Sequence, residues 1–134
     1  MPVVDASVWV AINHAADPAH PRCIGWLEAA RASGERLLAP TLLVAEVAAA
    51  VRRLTGQETL ASEVVEKLLT LGVLDLISLD LERSRRASAL AAATGVRGAD
   101  ALYLALAQER GDVLVTIDRQ QCERGGAIVE IRQP

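Results

Sequence analysis

Four carboxylates in this sequence stand where an acid needs a reason. Asp5 closes the apolar run PVVD, and Asp118 closes VLVTID. In an open parallel sheet such strand ends face the crevice in which ligands collect. Glu46 lies inside LLVAEVAAAV, and its helical neighbours three and four positions away are Leu42, Leu43, Ala49 and Ala50. A charge in such a stripe is unfavourable without a partner. Asp100 opens the largely apolar segment ADALYLALAQER, with Tyr103 and Leu104 on its face, so it belongs at the lip of the core. Each acid also has a plain reading. Asp5 and Asp118 suit Asx turns or helix caps, and the helix dipole favours Asp100 in a first turn. Glu46 would reach water at the stripe's edge or pair with Arg52 or Arg53.

Taken together, two strand-end acids and two acids on flanking helices converge on one crevice. Crowded carboxylates raise one another's pKa unless a cation neutralises them. No histidine accompanies them, since His14 and His20 lie near the first helix without ligand spacing. An all-oxygen site selects Mg²⁺ or Mn²⁺ over Zn²⁺. Such an ion activates water and stabilises the charge that develops on a phosphodiester under attack. The chemistry expected is phosphodiester hydrolysis. A phosphoryl-transfer receiver or phosphatase would also place Asp after the first strand, but it wants a second acid beside it or two residues on. Here that place is Ser7, and the only lysine is Lys67, in a mid-chain helix rather than after a late strand.

The elements that must hold these acids follow from composition and spacing. The chain has 134 residues and is 51% hydrophobic, yet only 2% aromatic with no Phe. Its core is therefore built from Ala, Val, Leu and Ile, which suits helices on a buried sheet. Strands are expected at residues 2–5, 36–39, 74–79, 112–116 and 127–131. Between them, helices are expected at 7–13, 21–33, from a cap at Thr41 to Gly56, at 58–71, from a cap at Asp80 to about 93, at 98–110 and at 119–124. Alternation of this kind predicts a single α/β domain over residues 1–134, with a largely parallel sheet. No apolar run approaches the roughly 20 residues of a membrane span, and the start lacks the basic region of a signal peptide. Cys23 and Cys122 match no metal or redox spacing and fit a reducing cytoplasm. Net charge is −3. With the four acids neutralised the rest carries +1, almost all of its bases being arginine, which is compatible with an RNA partner.

The four motifs, DAS at Asp5–Ser7, Glu46 within LLVAEV, RGADALYLALA around Asp100, and TID at Thr116–Asp118, resemble in order and spacing those of PIN domains. The similarity is greatest to the VapC-type toxins of type II toxin–antitoxin pairs and spans essentially the whole chain. It implies a three-layer fold and an endoribonuclease dependent on Mg²⁺ or Mn²⁺. Asp5 and Asp100 match the acids that hold metal most directly. Glu46 matches the one that completes the cluster and helps orient the attacking water. Asp118 matches a fourth acid that contacts metal through water. Ser7 and Thr116 match hydroxyls that support the carboxylates. The sequence departs at Gln121, where these toxins often carry an apolar residue, and Cys122 is expected to do that packing. The competing function is a PIN-like RNA- or protein-binding module without activity.

Arg83, Arg85, Arg86 and Arg97 suggest a basic rim for the RNA backbone. For Arg83 a solvated helix face is the better reading, whereas Arg97 is placed to reach the site mouth. Tyr103, Trp9 and Trp26 read as core or interface residues. The apolar excess from Leu42 to Leu71, with Val64 and Leu68 on one face, suggests an exposed groove for a partner. Its plain reading is simple core packing; the apolar excess otherwise predicts a homodimer, and the resemblance favours an antitoxin in the groove.

Overall fold

The computed structural model describes residues 1–134. Five short strands, β1 (Val3–Val4), β2 (Leu37–Pro40), β3 (Leu74–Ile77), β4 (Leu114–Val115) and β5 (Ile131–Arg132), pair in the order β3-β2-β1-β4-β5. Every pairing is parallel, with Val3 opposite Leu38 on one side and Leu114 on the other. The chain steps outward from β1 through β2 to β3, then returns to place β4 on the other side of β1. The strand order therefore switches between β1 and β4, where the crevice of an open α/β sheet opens.

Seven helices cover this sheet in a three-layer α/β arrangement: α1 (Ala6–Ile12), α2 (His20–Ser33), α3 (Leu42–Thr55), α4 (Glu58–Leu69), α5 (Leu81–Thr94), α6 (Gly98–Arg110) and α7 (Arg119–Gly125). Asp80 caps α5 through its carboxylate, which accepts from the Arg83 N–H at 2.8 Å. Thr41 precedes α3 as expected but gives no side-chain cap bond. Gly56 and Gly95 end α3 and α5 with φ near +70°, a conformation glycine adopts without a Cβ penalty.

A cluster of 28 buried apolar residues forms the core. Helix α6 is its central member, with Ala101 and Tyr103 to Ala107 all buried as it packs between α5 and strands β1, β2 and β4. Gly125 belongs to the same packing, because a Cβ there would meet Leu104 Cδ2 at 2.7 Å. Trp9 and Tyr103 are the largest fully buried side chains, and Trp26 packs at the edge.

Two expectations change. The last strand is not 127–131 but Ile131–Arg132. Ile128 and Val129 instead fold into a turn whose N–H groups donate to the Gly125 carbonyl. Apolar alternation in AIVEI is met equally by a turn that tucks these two side chains onto the core. The groove reading of Val64 and Leu68 also fails, since they are only 6% and 4% exposed. Packing of α3 on α4 covers them, and burial of such a side chain contributes about 1.5–3 kcal/mol. What stays open between the two helices is a shallower groove of about 460 Å³, with Ala48, Ala49, Ala61 and Val65 among its walls.

Candidate active site

The carboxylates that the sequence singles out meet at the switch point. Asp5, Glu46, Asp100 and Asp118 all line one cleft of about 750 Å³, and Asp17 lines it too. Two follow adjacent strands, one is carried on α3 and one opens α6. Asp17 escaped the sequence reading, and its Oδ1 is engaged as a turn acceptor for the Ala19 N–H at 2.8 Å.

Asp5 is 4% exposed. Its Oδ2 accepts from the Ser7 N–H at 3.1 Å and from the Thr116 hydroxyl at 3.0 Å. The Thr116 oxygen in turn accepts from the Asp118 N–H at 3.0 Å. Since the single hydroxyl proton of Thr116 goes to Asp5, the Ser7 hydroxyl at 3.2 Å is the donor in their contact. Ser7 Oγ then accepts from the Ile117 N–H at 3.2 Å. This network ties the ends of β1 and β4 together. It also orients Asp5 so that its bonds fall on Oδ2, leaving Oδ1 for a ligand.

Both strand-end acids are helix caps, as their plain reading has it. Asp5 caps α1, and Asp118 caps α7 through Oδ1, which accepts from the Gln121 N–H at 2.9 Å. Capping with one oxygen fixes the direction of the other, so a cap and a ligand are compatible roles.

Glu46 neither pairs with Arg52 or Arg53 nor simply reaches water. Its Oε2 accepts from the Tyr103 hydroxyl at 2.5 Å. Tyr103 is fully buried, and a buried phenol seeks a partner. It was legible as core but not as the group that orients Glu46. The missed signal was its place three residues after Asp100, the only Tyr in the chain. Burial pushes this phenol far above its usual range, with the Glu46 charge as the next cause. It stays a hydrogen-bond donor at all ordinary pH.

Asp100 is 8% exposed. Arg97 spans the mouth, its Nε donating to Asp100 Oδ2 at 3.0 Å and its Nη2 to Asp118 Oδ2 at 3.5 Å. Of the four arginines considered as a rim, only Arg97 lines the cleft. Arg83 and Arg86 are bound instead to Glu109 on the α5–α6 face. Gln121, the departure from the toxin pattern, is itself fully buried, and Cys122 is not. Its Nε2 donates to the Asp100 carbonyl at 3.1 Å. The polar residue therefore packs where an apolar one was anticipated and bridges the elements that carry Asp118 and Asp100.

Electrostatics describe an unbalanced site. Burial is the first cause raising the Asp5 carboxyl above its ordinary range, opposed by the Ser7 and Thr116 hydrogen bonds and aided by the Asp100 charge. Burial likewise raises Glu46, with Tyr103 opposing it and the charges of Asp5 and Asp100 adding to it. Five acids face three arginines, Arg53, Arg97 and Arg119, around the cleft. A hard cation suits this donor set of carboxylate oxygens, which lacks nitrogen and sulfur ligands. No three acids converge tightly enough to cage an ion with the side chains as they stand, and Arg97 already neutralises part of the charge.

The comparisons agree with this architecture. No curated protein is similar in sequence. Among solved structures, Mycobacterium tuberculosis VapC20, a toxin that cleaves the sarcin–ricin loop, superposes with a TM-score of 0.78 at 18% identity, over 98% of this chain and 99% of that one. DNA-bound VapBC from Salmonella typhimurium gives 0.72 at 18% identity, over 99% and 98%. FitAcB from Neisseria gonorrhoeae gives 0.69 at 18% identity, over 98% and 96%. These likenesses establish the fold, and the sequence matches the PIN domain over residues 3–127. The chain belongs to the PIN domain family.

Proposed function

We propose that the chain is a metal-dependent endoribonuclease in one domain over residues 1–134, and the toxin of a toxin–antitoxin pair. The observation that carries this reading is the meeting of Asp5, Glu46, Asp100 and Asp118 in one cleft at the sheet's switch point. Asp5 and Asp100 would hold Mg²⁺ or Mn²⁺, with Asp118 at its edge. A bound ion of this kind supplies an activated water and a counter-charge for the phosphodiester. The chain's own residues do the positioning. Ser7 and Thr116 hold Asp5, Gln121 braces Asp100 against α7, and Tyr103 fixes Glu46. Burial makes Glu46 a stronger base than a surface carboxylate, suited to accept a proton from the attacking water.

The toxin role rests on the superposed structures, which include the VapC20 toxin and a toxin–antitoxin complex from Klebsiella pneumoniae. An antitoxin segment would lie on the groove between α3 and α4, with a homodimer as the assembly and the cytoplasm as the compartment. No helix is long and apolar enough to cross a membrane. A second reading, a PIN-like binding module without activity, draws on the Arg97 ion pairs and the lack of a ready metal cage. Induced expression followed by sequencing of RNA 5′ ends separates the two. New ends that appear with the wild type and vanish with Asp100→Asn support the nuclease, and an unchanged RNA population supports the inactive module.

A further inference from the structure

Helix α3 presents Glu46, Ala49, Ala50 and Arg53 to the cleft. These are positions i, i+3, i+4 and i+7, which share one helical face. The acid therefore lies at one end of a trough floored by two alanines, and an arginine stands at the other, about 10 Å away at 1.5 Å per residue. The arginines of this protein differ sharply in what they do. Arg36, Arg83, Arg86, Arg97, Arg119 and Arg132 are engaged with carboxylates, and Arg124 donates to the Gly95 carbonyl. Of those left with neither ion pair nor hydrogen bond, Arg53 alone lines the cleft. Its charge is uncommitted and exposed beside a concentration of acids, at the place where a polyanionic substrate must pass.

We infer that Arg53 seats the substrate by binding a backbone phosphate next to the scissile one, so that an unpaired RNA strand runs along α3 across Ala49 and Ala50. This inference rests on the ribonuclease reading and names its substrate class. The ion at the acids serves the scissile phosphate, so a neighbouring phosphate that passes the cleft needs a cation of its own. Arg97 is a poor substitute, since Asp100 and Asp118 already share its guanidinium. The alanines leave the trough low enough for a sugar–phosphate chain to lie against the helix. A cleft of about 750 Å³ has the scale of a small-ligand pocket and not of a duplex groove. Unpaired RNA, whose backbone and bases can be splayed, is therefore the form that enters.

The test uses the full chain carrying Asp5→Asn, expected to slow cleavage at least about 10²-fold, and a fluorescein-labelled unpaired RNA oligomer read by fluorescence anisotropy over a range of salt. Adding Arg53→Gln should weaken binding several-fold. It should also reduce the slope of log affinity against log salt by about 0.7, the value for one lost phosphate contact on a single strand. Arg53→Lys should restore most of both, and Arg110→Gln, at the far end of α6, should change neither. In the otherwise wild-type enzyme Arg53→Gln should raise KM several-fold and leave kcat within about a factor of two, the signature of lost uniform binding. An unchanged salt slope in Arg53→Gln overturns the inference, as does a fall in kcat at constant KM. A wild-type protein that cuts no RNA would instead overturn the nuclease reading, so the two failures are distinguishable.

Discussion

On the α5–α6 face Glu109 lies between Arg83 at 2.9 Å and Arg86 at 3.8 Å, whereas in the cleft five acids meet three arginines. The same residue types titrate in opposite directions in the two places. Hydrogen bonds from Arg83 hold the Glu109 carboxyl below its ordinary range. Burial first, and neighbouring acids after it, push Asp5 and Glu46 above theirs. The α5–α6 face is complete in itself, and its charges stabilise the fold slightly. The cleft keeps an unfavourable concentration of charge that a bound cation would relieve, as expected of a functional site rather than a structural one.

Removing one cleft acid should show the difference most strongly. Asp5→Asn and Asp100→Asn should each lower RNA cleavage by at least about 10²-fold, a loss of the size seen when a charge-stabilising group is deleted. Both should retain the fold, because Asn keeps an acceptor oxygen. Glu109→Gln should leave cleavage unchanged. Rates from purified proteins in Mn²⁺ check all three, and full activity in either cleft mutant would break the contrast.

A smaller effect is expected in stability. Mg²⁺ or Mn²⁺ at about 100 times its Kd should add about 2.7 kcal/mol, because it binds the folded cleft and not the unfolded chain. Calorimetry with and without the ion reads this directly. Asp5→Asn should abolish the gain and Glu109→Gln should not.

Smaller still is the response to losing one crowded charge. In the metal-free protein Glu46→Gln should raise the melting temperature by on the order of a few °C, since Gln keeps an acceptor for Tyr103 and removes a like charge. Glu109→Gln should lower it slightly, since an exposed pair contributes little. A clear fall in Glu46→Gln would mean that Glu46 is satisfied where it stands.

The pH dependence of the metal-free protein tests the same sign. An acid with a raised carboxyl binds its proton more readily in the folded state than in the unfolded chain. Stability therefore increases as pH falls through that raised value. For Asp5 and Glu46 this predicts a modest rise in melting temperature as pH falls from neutral toward the ordinary carboxylate range. The carboxyls of Glu109 and Asp112 are lowered, so their contribution persists there and is lost only below the ordinary carboxylate range. Asp5→Asn with Glu46→Gln should flatten the rise.

Much of this was legible in the sequence because local rules and tertiary demands agreed. Asp80, Gly56 and Gly95 punctuate helices where cap chemistry places them. The four acids were visible because each sits against apolar residues or closes a strand. What escaped depends on side chains far apart in the chain. Tyr103 reads as core on its own helix, and only the arrival of α3 gives its hydroxyl to Glu46. Val64 and Leu68 looked like surplus surface because α4 read alone cannot show that α3 covers it. Gln121 looked like a defect in an apolar position, yet it has a partner 21 residues away in the Asp100 carbonyl.

The most direct test follows cleavage of a labelled RNA by the purified wild-type chain, first in EDTA and then after Mn²⁺ is restored in excess. The account predicts no cleavage in EDTA and recovery with Mn²⁺, but not with monovalent salt. Cleavage undiminished in EDTA would contradict it, and the acids of the cleft would then need another explanation.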